Sequence, residues 1–91
     1  MPIVLLEYQA RVRAADGQLY RARAYADEAR DGTARWRGWI EFLPVDGRPA
    51  IRTGRETTQP NRLCAEYWSE GLSPLYLEGA LRRAVGAGLL R

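Results

Sequence analysis

Apolar side chains change their spacing once along this chain, and the change divides it into a β half and an α half. Near the start they fall on every second residue, as at Val4, Leu6 and Tyr8, which is typical of a strand with one buried face. After Pro60 they recur at every third or fourth residue, which is the spacing of one side of a helix. The sequence therefore predicts an α+β protein in which strands come first and helices follow.

Turn motifs set the predicted pairing of the strands. Residues 15–17 (Ala-Asp-Gly) fit a three-residue hairpin loop in which Gly17 has positive φ, and residues 46–47 (Asp-Gly) fit a two-residue turn. With a connection at residues 31–32 they define a four-stranded antiparallel β-meander. The facing residues expected in the first hairpin are Ala14 and Gln18, Val12 and Tyr20, Ala10 and Ala22, and Tyr8 and Ala24. Those expected in the last hairpin are Phe42 and Ile51, Ile40 and Thr53, Glu41 and Arg52, and Arg37 and Glu56.

The α half predicts two C-terminal helices packed on one face of this sheet. The first begins near Pro60, with Thr58, Gln59 or Asn61 as candidate caps, and ends near Gly71. Its predicted apolar side comprises Leu63, Cys64, Tyr67, Trp68 and Leu72. Three inward alanines of the second strand leave a shallow trough, which we expect the large rings of Tyr67 and Trp68 to fill.

The second helix has clear signals at both ends. Ser73 and Pro74 supply a cap and a first-turn proline, and the glycines of residues 86–88 are expected to end the helix. The predicted apolar side comprises Leu77, Ala80, Leu81, Ala84 and Val85.

Length and composition indicate an ordinary globular protein. The 91 residues fit one domain, residues 1–91, and 46% hydrophobic residues are too many for a disordered chain. No segment has the length of a membrane span, so no membrane partner is expected. A single cysteine excludes an internal disulfide, which makes the cytoplasm the expected location.

The residues available for chemistry argue against an enzyme. The sequence contains no histidine, which is the commonest general base and metal ligand, so neither catalysis nor a metal site is expected. Cys64 lies among apolar residues of the first helix and is expected to be a shielded small hydrophobe that reacts slowly. The glycines of residues 86–88 follow a helix and do not form a phosphate-binding loop, so no cofactor is expected.

The sheet face turned away from the helices is the predicted interaction surface. It carries arginines, among them Arg35 and Arg52, and large apolar side chains. The residues predicted to contact a partner are Arg11, Arg13, Leu19, Arg21, Arg23, Tyr25, Arg37 and Trp39. Trp39 is expected to be exposed, where it would shield Gly54 or anchor a partner. The first hypothesis is contact with another protein or with a second copy of this chain, because a small core benefits from oligomerisation. The alternative is single-stranded nucleic acid, since guanidinium groups bind phosphates and exposed rings stack on bases. The same arginines are also explained without a partner, because one face of a small meander is solvated and Glu7, Asp27, Glu41 and Glu56 would neutralise much of its charge.

A weaker hypothesis concerns residues 52–62, which contain no large apolar side chain. Arg55 and Arg62 flank the start of the first helix, where free backbone N–H groups favour an anion. The same residues are explained without a ligand as the end of a strand and the entry to a helix.

Overall fold

A computed structural model of the protein describes residues 1–89, within which six strands form one antiparallel sheet and two helices cover one of its faces. The elements are β1 (Ile3–Glu7), β2 (Val12–Arg13), β3 (Leu19–Glu28), β4 (Trp36–Pro44), β5 (Ile51–Arg52), β6 (Thr57–Gln59), α1 (Arg62–Glu70) and α2 (Pro74–Leu89). The order across the sheet is β1-β3-β4-β5, with β2 also paired to β3 and β6 also paired to β4. The predicted α+β meander with two following helices is confirmed, although its first and fourth strands are each broken in two.

The first break lies between β1 and β2. Gly17 has φ of 87° and Val12 faces Tyr20, as the turn predicts. Further from the turn the prediction is wrong, because Leu6 and not Tyr8 faces Ala24. Two extra residues bulge out between Val12 and Tyr8, whose amide still donates to the carbonyl of Ala22 at 3.0 Å. The Tyr8 hydroxyl donates a hydrogen bond of 2.6 Å to the carbonyl of Ser69 in α1. A helix contact thus accompanies a two-residue shift in register.

A second irregularity reverses the face on which β1 presents its first residues. The register shifts by one between Val4 and Leu6, so that Val4 lies opposite Tyr25 and is half-exposed. Leu5 packs against the core in its place. A one-residue bulge moves side chains to the other face of a sheet, which simple alternation in the sequence does not predict.

The fourth strand is broken after Thr53. Phe42 faces Ile51 and Glu41 faces Arg52, as the turn at residues 46–47 predicts. The Thr53 hydroxyl then accepts a hydrogen bond from the Ile40 amide at 3.1 Å, where a backbone carbonyl would normally accept it. Beyond this point Arg37 faces Thr58 instead of the predicted Glu56. Beyond the break the chain pairs with β4 again as β6, and the register of this pairing is shifted by two residues.

The second helix packs one apolar side against the core. Its predicted stripe is confirmed, with Leu77, Ala80, Leu81 and Ala84 all buried. The centre of the core is Phe42, which meets the ring of Tyr20 edge-to-face at 6.4 Å between centroids. The Ser73 hydroxyl accepts from the amide of Tyr76, which confirms the cap, but α2 runs through the glycines of residues 86–88, so the predicted stop is wrong.

The first helix is rotated from its predicted orientation. Asn61 caps it by accepting from the amide of Cys64, and it buries Ala65 and Ser69. Tyr67 is 63% exposed, so it does not enter the alanine trough. Trp68 packs over Gly38 of β4, the cross-strand neighbour of Ala26, and a methyl group at Gly38 would lie 2.7 Å from its indole. Cys64 is half-buried, which is less shielding than its predicted position implies.

Candidate interaction surface

The sheet face opposite the helices, called the outward face below, presents the odd-numbered side chains of β3 and β4. The even-numbered residues of these strands, such as Ala24 and Phe42, point into the core. The outward face comprises Val4 and Glu7 of β1, Arg13 of β2, Leu19, Arg21, Arg23, Tyr25 and Asp27 of β3, Arg37, Trp39, Glu41 and Leu43 of β4, and Arg52 of β5. Seven of the eight residues predicted for an interaction surface are therefore brought together.

Arg11 is the predicted residue that the structure places elsewhere. It belongs to the bulge between β1 and β2 and lines a cleft with Tyr8, Leu72 and Pro74, on the side of the sheet that carries the helices. The alternation that puts Arg11 beside Arg13 fails here because the bulge interrupts the strand.

Trp39 is buried in the middle of the outward face. Its ring is nearly parallel to that of Tyr25, with centroids 6.0 Å apart, and the guanidinium of Arg52 lies 4.5 Å from the ring centroid. These neighbours leave only 6% of Trp39 exposed. The prediction that Trp39 is exposed is therefore wrong. The indole also does not shield Gly54, because no atom lies within 4 Å of where a Cβ would stand at that glycine.

A row of alternating charges crosses the four strand positions of the outward face. Successive cross-strand neighbours are Glu7, Arg23, Glu41 and Arg52, and we call these residues the charge row. Arg23 Nε lies 2.7 Å from Glu7 Oε1, and this hydrogen bond with the positive charge lowers the pKa of Glu7. Opposite charges on neighbouring strands stabilise the sheet modestly, because the pairs are partly solvated.

A second opposite-charge pair lies four residues further along the same strands. Asp27 of β3 faces Arg37 of β4, with 3.3 Å between carboxylate and guanidinium. The contact is electrostatic, since Asp27 Oδ1 and Arg37 Nε are buried without a hydrogen-bond partner. The basic excess of the outward face therefore rests on Arg13 and Arg21, which are exposed near the first hairpin turn.

The two arginines of the predicted anion site have different neighbours in the structure. Arg55 borders a cleft on the outward face together with Pro2, Trp39 and Arg52. Arg62 instead lies on α1, with its guanidinium 3.9 Å from the carboxylate of Glu66. Because Asn61 already accepts from an amide of the first turn, the structural explanation of residues 52–62 is the better one.

Sequence reasoning missed a polar cluster on the side of the sheet that carries the helices. Glu56 accepts hydrogen bonds from the Tyr76 hydroxyl and from Arg83 Nη2, the latter at 2.6 Å, and the Arg83 guanidinium also lies near the Tyr76 ring. The strand break after Thr53 places Glu56 in this cluster, whereas the continuous strand predicted from the sequence pairs it with Arg37. No spacing in the sequence signals that change.

Tyr8 and Tyr76 are expected to ionise late. Burial raises the pKa of each hydroxyl to about 12, with the neighbouring Tyr76 adding to the effect on Tyr8 and the hydrogen bond to Glu56 adding to that on Tyr76. Because the folded state favours the protonated phenols, their contribution to stability is complete below the ordinary pKa of 10 and is lost as pH rises through 12. Absorbance titration checks this: a step near pH 12 that accompanies unfolding should be lost in the variant with both Tyr8→Phe and Tyr76→Phe. If the absorbance lost in that variant belongs instead to a step near pH 10, the prediction is contradicted.

Residues 1–89 contain no cluster of three or more acidic or cysteine side chains placed to hold a metal ion. Among the same residues, neither helix combines the length and the apolar character needed to cross a bilayer.

Comparison of the chain with protein-family models, with curated proteins and with solved structures gives no match. The fold alone therefore defines its class: a small α+β protein with helices on one sheet face and charge-paired strands on the other.

Proposed function

We propose that this protein is a small non-enzymatic association module that contacts protein through its outward face, with a second copy of itself as the first partner. The observation that carries the proposal is the state of the arginines on this face. Arg23 and Arg37 are each engaged by an acidic neighbour. Such a face offers paired charges around an aromatic centre, which suits a protein surface of matching charge pattern.

Single-stranded nucleic acid is the second candidate, and the aromatic residues rank it lower. Stacking a base requires a ring with a free face, whereas Trp39 lies between Tyr25 and Arg52 and is almost fully covered. The observation in favour of nucleic acid is the exposed pair Arg13 and Arg21. Neither arginine faces an acidic residue in the strand pairings of β2 with β3 and of β3 with β4.

The proposed role does not involve catalysis. The sequence lacks histidine, and the strongest pKa shifts are those of Tyr8 and Tyr76, whose hydroxyls donate to a backbone carbonyl and to Glu56. Donors so engaged are poor acids for a substrate because they are held in their neutral form. A cytoplasmic location fits the single free cysteine, which needs no oxidising compartment.

Sedimentation of the wild-type chain tests this function. The protein is centrifuged from low micromolar to near-millimolar concentration at about 0.15 M salt, alone and with a labelled single-stranded oligonucleotide. We expect the average mass to rise toward that of a dimer with protein concentration, while the oligonucleotide sediments unchanged. A chain that remains monomeric throughout would overturn the proposal. Co-sedimentation with the oligonucleotide, lost steeply as salt rises, would favour the second candidate instead.

A further inference from the structure

We infer that two copies pack outward face to outward face about a twofold axis that runs parallel to the strands, between β3 and β4. The inference rests on the proposed self-association and adds the partner's orientation and the residues that select it. It follows from the pattern of charges across the sheet.

Twofold symmetry acts on the cross-strand pairs of β3 and β4. A twofold axis parallel to the strands and midway between β3 and β4 places β3 of one copy over β4 of the other. Each β3 residue then meets the residue that, within one chain, lies opposite it on β4, but from the partner copy. An opposite-charge pair therefore meets its own complement. By contrast, a perpendicular axis in the plane of the face that passes through the charge row would set that row against itself, like charge on like charge. A perpendicular axis through Tyr25 and Trp39 would pair the central charges but would leave Glu7 and Arg52 without an opposite charge.

Both central charge pairs satisfy this condition. Arg23 would meet the partner's Glu41, and Asp27 would meet the partner's Arg37, so that each pair becomes a quartet of alternating charge. At the edges of the charge row, Glu7 would meet the partner's Arg52. Every charged residue of the row thus gains an opposite charge, which is the complementarity that fixes orientation at an interface.

The uncharged residues are compatible with the same arrangement. Tyr25 would meet the partner's Trp39, and the half-buried Leu19 would meet the partner's Val45, which is 49% exposed. The ten residues of β3 make the face about 30 Å long, and four strand positions make it about 17 Å wide. Two such faces would bury about 1,000 Å², which is at the low end for a specific interface and implies a weak dimer.

Two charge reversals test the orientation. Glu41→Arg leaves two central arginines in the charge row, and Arg23→Glu leaves two central glutamates. Each variant alone should dimerise at least about tenfold more weakly than wild type, because like charges would then face one another twice. An equimolar mixture should recover association as a heterodimer, since the arginines of one chain meet the glutamates of the other. The control reversals Glu70→Arg and Arg82→Glu, on exposed positions of α1 and α2, should leave dimerisation unchanged.

A third site supports the test if either reversal impairs folding. Arg21 faces Leu43 across β3 and β4, so Leu43→Glu creates another opposite-charge pair within the chain. The same twofold axis places that glutamate against the partner's Arg21, so the variant should dimerise more tightly than wild type. Leu43→Arg should dimerise more weakly. Circular dichroism of each variant establishes that it is folded.

The outcomes separate this inference from the proposed function. If wild type dimerises but the reversals, their mixture and the Leu43 variants all behave as wild type, the chain associates through another face or about another axis. That result overturns the orientation inferred here while self-association stands. A wild-type chain that never dimerises overturns the proposed function itself. Recovery in the mixture, with weakening in each single variant, supports both.

Discussion

Replacing Trp39 with alanine is expected to lower the free energy of unfolding by about 3–5 kcal/mol, the usual cost of removing a buried tryptophan. The indole is 6% exposed, and its loss removes the parallel contact with Tyr25 and the contact with the Arg52 guanidinium. Urea unfolding followed by circular dichroism measures the change. The effect on association is then read only under conditions where the variant is folded.

The conservative variant Trp39→Phe is the matched control. A phenyl ring retains an aromatic contact with Tyr25 and leaves a smaller cavity, so it should cost less than half as much as alanine. If Trp39→Ala instead leaves unfolding unchanged and abolishes only self-association, the indole acts as the exposed anchor that the sequence predicts. The buried arrangement with Tyr25 and Arg52 would then be wrong.

Gly38→Ala is expected to cost about 3 kcal/mol, at the upper end for overpacking a core. The added methyl carbon would lie 2.7 Å from the Trp68 ring and 2.9 Å from the Thr57 methyl group. Neither neighbour moves easily, because Trp68 packs against the core and Thr57 belongs to β6. Thermal and urea unfolding measure the loss, and alanine's lower chain entropy in the unfolded state offsets only a small part of it.

Gly54→Ala is the control for this substitution. No atom lies within 4 Å of the Cβ position at Gly54, so the change should alter stability by no more than about 0.5 kcal/mol. In a Trp68→Leu background, Gly38→Ala should cost clearly less than in wild type, because the closest contact is gone. Equal costs in the two backgrounds would show that Trp68 does not occupy the space above Gly38.

These two variants differ in purpose from the charge reversals. Trp39 is buried on the outward face and Gly38 is packed against Trp68 on the other face, so substitution of either residue affects folding before it affects association. Glu41 and Arg23 lie at partly exposed positions of the charge row, where reversal mainly changes the electrostatics of the face. A dimer that responds to the reversals at unchanged stability therefore reports on the interface.

Short-range chemistry made the fold class, the turns and α2 predictable from the sequence. A turn fixes the register of the residues next to it, which is why the pairings of Val12 with Tyr20 and of Phe42 with Ile51 are correct. The cap at Ser73 and the apolar stripe of α2 depend on residues a few positions apart, and both are confirmed. The position of most arginines on the outward face follows from the same alternation.

Contacts between distant parts of the chain decided the rest. Tyr8 and Ser69 are 61 residues apart, and their hydrogen bond accompanies the bulge that removes Arg11 from the outward face. Trp68 reaches the sheet because Gly38, far earlier in the chain, has no side chain, and this fixes the rotation of α1. The burial of Trp39 depends on Tyr25 and Arg52 from two other strands. Spacing along a chain cannot specify such contacts, because they form only once packing brings separate elements together.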